Sequence, residues 1–249
     1  ISPEAPVPVV RVNKETWVPG GAANVANNIR ALGGETIICG LIGTDQPGRN
    51  LTGLLKRAEI DIRGLIADKN RPTVTKSRIL AGHQQVARID REEVTPIGTS
   101  LRDEILEKIE TLSAEIDGII LEDYAKGLLG QEMINRIIRV AERYNILLVA
   151  DPNGGNIFSY RGADLVTPNR KEAVIAAGAG RSAPVDELGR ILLEKWGSKA
   201  VLITLGEEGM CLFEPGLPPY RNSTMAREVF DVSGAGDTVV ASVTLALAA

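Results

Sequence analysis

Residues 118–150 read GIILEDYAKGLLGQEMINRIIRVAERYNILLVA, an apolar run, a polar loop, a helical pattern and a second apolar run. Apolar residues recur at helical spacing over residues 131–144, which predicts a helix there. The runs at 118–121 and 146–150 are short and continuously apolar, which predicts strands buried on both faces. Two such strands joined by a helix pair in parallel, so the stretch predicts a β-α-β unit.

The alternation continues outward. Helices are predicted over 99–114, 170–177 and 185–196, and strands over 164–167, 200–204 and 210–213. The fold class is therefore α/β, a doubly wound and mostly parallel sheet with helices on both faces and ligands at the carboxyl ends of its strands. A helix over 23–32, closed by Gly33-Gly34, and a strand over 35–42 fit the same sheet. Residues 7–12, 73–80 and 84–90 instead alternate polar and apolar side chains with no helix between them, which predicts a small antiparallel sheet. With apolar residues on both faces, that sheet must cover something or pair with another chain. A lid formed by about residues 1–18 and 72–90 is expected, with a homodimer through its exposed face.

The 249 residues suit one domain, which would bury roughly three quarters of its unfolded surface. A net charge of −4 with interspersed signs excludes a nucleic-acid or membrane surface and points to a small-molecule substrate. Cys39 and Cys211 each lie in an apolar run, as reduced core thiols of a cytoplasmic protein do. His83 is the single histidine, which excludes a histidine-built zinc or triad site. No apolar stretch reaches the ~18 to 20 residues that cross a bilayer. Ile1 in place of an initiator methionine, and a last helix without a cap, lead to the expectation that the sequence is part of a longer product.

Near the end, Val232-Ser233-Gly234-Ala235-Gly236-Asp237-Thr238 runs into a helix of small apolar residues. Bare amides at Gly234, Ala235 and Gly236 can converge at a helix N-terminus, where unsatisfied N–H groups and the dipole favour a phosphate. Asp237 then sits beside an anion site and can take a proton from a hydroxyl, or it merely complements the helix dipole. Near the start, Pro19-Gly20-Gly21-Ala22-Ala23-Asn24 is a second glycine pair leading into a helix. A sugar can lie against the bare main chain of Gly20 and Gly21 while Asn24 donates to and accepts from its hydroxyls; a plain strand-to-helix turn is the other reading.

Four further segments end predicted strands. Glu122-Asp123-Tyr124-Ala125-Lys126-Gly127 puts carboxylates and a cation at the ligand-bearing end of the sheet. Asp151-Pro152-Asn153 and Thr167-Pro168-Asn169-Arg170-Lys171-Glu172 follow the next strands. Asn169 and Glu172 suit either a hydrated Mg²⁺, which takes few protein ligands, or a capping box, and the two are compatible. Thr204-Leu205-Gly206-Glu207-Glu208-Gly209 is a nucleotide contact or a turn. Lys76 and Arg88 read as solvated strand residues or, under a closed lid, as phosphate partners.

Taken together, Gly20-Gly21-Ala22-Ala23-Asn24, Asn169–Glu172 and 231–238 resemble, in order and separation, the signatures of the ribokinase-like (PfkB) carbohydrate kinases. The resemblance covers essentially the whole chain. Within that family the opening residues, the Pro-Gly-Gly-Ala-Ala-Asn segment, His83-Gln84-Gln85-Val86-Ala87-Arg88-Ile89-Asp90 and Asp123-Tyr124-Ala125-Lys126-Gly127 are similar to the D-glycero-β-D-manno-heptose 7-phosphate kinases. The resemblance implies ATP-dependent phosphorylation of the C1 hydroxyl. It makes Asp237 the base, Gly234, Ala235 and Gly236 the anion hole, Asn169 and Glu172 the Mg-ATP end, and Thr204 and Gly206 part of the nucleotide site. Gly20, Gly21 and Asn24 would contact sugar, with Glu4, Asp123, Lys126, Arg88 and Lys76 as further substrate contacts. Family members also carry an earlier strand with a sugar-binding aspartate and later helices around the adenine, neither of which is in this sequence, and some heptose kinases are fused to a nucleotidyltransferase. The competing expectations are a kinase of the same fold for another sugar phosphate or a nucleoside, and a non-catalytic sugar or nucleotide sensor.

Overall fold

A computed structural model describes residues 9–82, 84–154, 156, 158–224 and 234–249. Helix α1 (Ala22–Ala31) leads to strand β1 (Ile37–Gly43), helix α2 (Gln46–Arg57) and strand β2 (Asp61–Asp68). A hairpin of β3 (Thr75–Ala81) and β4 (Gln84–Arg91) follows, then α3 (Thr99–Leu112), β5 (Gly118–Glu122), α4 (Gln131–Tyr144), β6 (Leu147–Asp151) and β7 (Leu165–Val166). The chain continues through α5 (Arg170–Ala177), α6 (Val185–Trp196), β8 (Ala200–Thr204), a 3-10 turn at Gly206–Glu208, β9 (Met210–Phe213), β10 (Tyr220–Asn222) and α7 (Ala235–Ala248).

The main sheet has the order β10-β9-β8-β7-β6-β5. Strands β5 to β8 pair in parallel, as the continuous apolar runs predict, whereas β9 and β10 are antiparallel. The direction of β9 follows from its connection: a short turn from β8 leaves no length for a parallel crossover. Three other expectations are corrected. Strand β1 pairs in parallel with β2 in a separate two-stranded sheet rather than joining the main one. Helix α2 and strand β2 lie where no element was expected. Residues 9–12 form no strand, although their polarity alternates, because among the described residues no ladder satisfies their backbone. Among the described residues the small antiparallel sheet is thus the β3–β4 hairpin; residues 1–8, including Glu4, and His83 lie outside the described residues.

Helix α4 shows why the core forms. Met133, Ile134, Ile137, Ile138, Val140 and Ala141 are buried on one stripe, and Asn145 ends the helix in the left-handed conformation. Truncating a residue such as Ile137, which is 1% exposed, to alanine costs roughly 2–5 kcal/mol. Beneath α6, the rings of Tyr160 and Trp196 meet edge to face, centroids 5.8 Å apart. On the other side of the sheet, Val25 of α1 joins Val240 and Ala241 of α7, so the two glycine-led helices pack into one cluster. That cluster packs α1 and α7 against each other and against the sheet. No described helix is long and apolar enough to cross a membrane, and both cysteines are free thiols.

Candidate active site

Register decides what meets at the sheet's carboxyl edge. Glu122, the last residue of β5, is the ladder partner of Asp151, the last residue of β6, so their side chains share one face. One strand further, Thr167 Oγ1 donates to Asp151 Oδ1 across 2.8 Å. Beyond that, an isolated parallel bridge joins Asn169 to Thr204 at the end of β8. Asn169 and Thr204 therefore stand side by side along this edge, and Gly206 opens the 3-10 turn that follows β8.

Helix α7 presents its first turn nearby. Gly234 is its N-cap at φ +81°, and a Cβ there would lie 2.9 Å from Asn24 Nδ2, so glycine suits both the backbone and the space. No side chain among the described residues caps the helix, so the amides at Ala235, Gly236 and Asp237 keep the unpaired character of a first turn. Residues 231–233 lie outside the described residues. Asn24 Nδ2 donates to Asp237 Oδ2 at 2.6 Å, and the Tyr124 hydroxyl donates to Asp237 Oδ1 at 3.0 Å. The two glycine-led motifs, 213 residues apart, thus touch through their polar side chains. Gly21, at φ +57°, caps α1, and a Cβ on it would meet the Tyr124 ring at 3.3 Å. Gly20 precedes it directly in sequence, and Trp17, four residues before Gly21, is 41% exposed.

Burial raises three carboxyls along this edge. Burial pushes Glu122 up to about 9, helped by the negative charges of Asp151 and Asp237 and opposed by the Tyr124 hydroxyl. Its two buried oxygens have no hydrogen-bond partner of good geometry among the described residues. Burial also raises Asp151 to about 7; the Thr167 hydroxyl opposes the shift, and the charges of Glu172, Asp237 and Asp123 reinforce it. Glu172 is raised by burial too, against the hydrogen bonds from Asn169. Such a field favours a cation among these groups.

The remaining expected residues fall in three places. Asn169 and Glu172 form a capping box: Glu172 N donates to Asn169 Oδ1 at 3.0 Å, and Asn169 N to Glu172 Oε2 at 2.9 Å. Asp123 is buried, accepting from Asn156 Nδ2 at 2.8 Å and from Ala125 N at 2.8 Å, so its carboxylate shapes the loop after β5. Lys126, Lys76 and Arg88 are all paired with carboxylates, Lys126 with Glu92 at 2.7 Å, Lys76 with Asp90 at 3.1 Å and Arg88 with Asp90 at 2.9 Å. Sequence reasoning gave no role to Tyr124, Thr167 or Glu92. Tyr124 had one usable signal, its place in the loop directly after a buried strand.

Comparison with known proteins closes the assignment. The pfkB family carbohydrate kinases match residues 2–249. The chain belongs to that family. Among curated relatives, the bifunctional protein HldE of Helicobacter pylori (strain G27) is 42% identical over 249 residues, covering 99% of this chain and 54% of that protein. HldE of Desulfatibacillum aliphaticivorans is 40% identical over 251 residues, covering 100% of this chain and 51% of the relative. The chain therefore spans about half the length of the curated relatives it matches. In fold it resembles the tetrameric inhibited form of phosphofructokinase-2 from Escherichia coli (TM-score 0.77, 20% identity, 98% of this chain and 81% of that one). It likewise resembles Arabidopsis thaliana ribokinase complexed with ribose and ATP (TM-score 0.75, 21% identity, 96% and 78%). Membership in the pfkB family makes the chain a carbohydrate kinase, an enzyme class that uses ATP.

Proposed function

We propose that this pfkB kinase phosphorylates the C1 hydroxyl of D-glycero-β-D-manno-heptose 7-phosphate, giving the 1,7-bisphosphate for ADP-heptose and lipopolysaccharide core synthesis in the cytoplasm. The observation that carries the reading is the contact of Asn24 and Tyr124 with the two oxygens of Asp237. It sets a carboxylate of fixed orientation between the sugar-side glycine pair and a helix N-terminus. The 40–42% identity to HldE proteins over the whole chain supports the heptose assignment.

Asp237 orients the acceptor hydroxyl and receives its proton as the oxygen takes the phosphoryl group. The amides of Gly234, Ala235 and Gly236 with the α7 dipole hold the phosphoryl oxygens where charge develops. Gly20 and Gly21 let the sugar approach the main chain, and Asn24 contacts it while steadying Asp237. Thr204 and Gly206 border the nucleotide.

No group of three or more acidic, histidine or cysteine side chains among the described residues could hold a metal unaided. That donor set fits Mg²⁺, which keeps waters and substrate phosphates as ligands. Asn169 and Glu172 would hold it, in part through water, and it would supply charge neutralisation at the phosphates. The β3–β4 hairpin acts as the lid, and its exposed Leu80, Val86 and Ile89 suit pairing with a second copy, which light scattering tests.

The test is a panel of acceptors with ATP: the heptose 7-phosphate, the dephosphorylated heptose, fructose 6-phosphate, ribose and a nucleoside. Exclusive turnover of the heptose 7-phosphate, with a new anomeric phosphate by ³¹P NMR, is expected. Preference for another acceptor reassigns the substrate, and binding without turnover makes the chain a sensor.

A further inference from the structure

The cations expected to meet a substrate phosphate already hold an anion, and it belongs to the protein. Glu92 directly follows β4 and is shared by two lysines from different elements. Lys126 Nζ, in the loop after β5, lies 2.7 Å from Oε1, and Lys76 Nζ, on β3, lies 3.5 Å from Oε2. Lys76 also reaches Asp90, which Arg88 grips through both oxygens at 2.9 and 3.0 Å.

Glu92 is not a loose surface group. The Glu92 and Lys126 side chains are 22% and 24% exposed, so water screens the pair less than an ordinary surface contact. The backbone after it is anchored: the Arg71 guanidinium donates to the carbonyls of Glu93 and Thr95, and Ile97 N donates to Gly127 O at 3.0 Å. The segment carrying Glu92 is thereby fixed against the loop carrying Lys126, two residues from the Tyr124 that touches Asp237. The two lysines hold Glu92 ionised, with its carboxyl below the usual range.

We propose that Glu92 is a resident counter-anion standing where the distal phosphate of the acceptor binds, and that the phosphate must displace its carboxylate from Lys76 and Lys126 in order to bind. The inference rests on the reading of the acceptor as a sugar phosphate. A neutral sugar has nothing to offer two lysines in place of Glu92. A phosphate, with more charge and three acceptor oxygens, does. Once displaced, Glu92 turns to solvent, and Lys76 and Lys126 together clamp the acceptor between the hairpin and the loop after β5.

The experiment compares Glu92→Gln with the unaltered chain. Three quantities are measured: KM for the heptose 7-phosphate, KM for the dephosphorylated heptose, and inhibition by inorganic phosphate competing with the sugar. Neutralising Glu92 removes the competitor, so KM for the sugar phosphate and Ki for inorganic phosphate should both fall about three- to tenfold. The KM of the dephosphorylated sugar should stay in place. Unchanged or raised values for both phosphate species overturn the proposal and make Glu92 a positioning residue for the lysines. If the unaltered chain does not prefer the phosphorylated sugar, the substrate reading falls, while inorganic phosphate still reports on the anion position. Should Glu92→Gln fold poorly, Glu92→Asp, which withdraws the carboxylate by one methylene, should shift both constants the same way by a smaller factor; no shift there also overturns it.

Discussion

Asn24 Nδ2 stands 2.6 Å from Asp237 Oδ2 while the Tyr124 hydroxyl stands 3.0 Å from Oδ1, so each oxygen of one carboxylate has its own donor. Two directional bonds remove the rotation that a side chain in a helical first turn would otherwise keep. Asp237→Asn preserves the shape but loses the proton acceptor. A drop in kcat of roughly 10² or more is expected, with ATP KM nearly unchanged. Near-normal kcat in steady-state assays would remove Asp237 from the role of base.

Gly21 couples backbone conformation to this arrangement. Its φ of +57° costs an L-residue roughly 1–2 kcal/mol, and the added Cβ presses on the Tyr124 ring. Gly21→Ala should lower thermal stability and, by moving Tyr124, raise the sugar KM more than the ATP KM. Equal shifts in both constants would mean that the turn serves the fold alone.

Glu122 governs the response to pH. A carboxyl raised from 4.5 to about 9 on folding keeps a proton that the unfolded chain has already released. Stability therefore falls as pH rises across that window, and the cost is complete above it. Glu122→Gln removes the ionisation, so at pH 8.5 the variant should be more stable than the unaltered chain by about 1–3 kcal/mol, with little difference at pH 5. Thermal melts at the two pH values decide; parallel curves would place Glu122 in contact with solvent.

Glu172 separates capping from metal binding. In Glu172→Gln the carbonyl oxygen still accepts from Asn169 N, so the capping box survives and the melting temperature should barely move. Loss of the charge should raise the Mg²⁺ concentration for half-maximal rate about tenfold. A lower melting temperature with an unchanged Mg²⁺ titration would leave Glu172 a capping residue only.

The bounds of α4, α5, α6, β8 and β9 were legible from periodicity, because three of these helices are followed by residues in the left-handed conformation, Asn145, Gly178 and Gly197. Helix α2 was hidden: its few apolar residues sit among polar ones and glycines, and it buries only Gly48 and Leu55. Residues 9–12 show the opposite failure, since alternation is local while a strand needs a partner. The glycine-led motifs announced themselves by composition. Tyr124 and Glu92 did not, because what singles out Tyr124 is its contact with an oxygen 113 positions away, and what singles out Glu92 is a pair of lysines on other elements.

The two tryptophans divide the molecule's light emission between fold and site. Trp196, 2% exposed against Tyr160, is shielded from quenchers and reports the core. Trp17, four residues before Gly21, is open to them. Acrylamide should thus extinguish one emitter and spare the other, and a sugar settling on the glycine pair should protect only the first. Occupancy and unfolding can then be followed in one cuvette without attaching a dye.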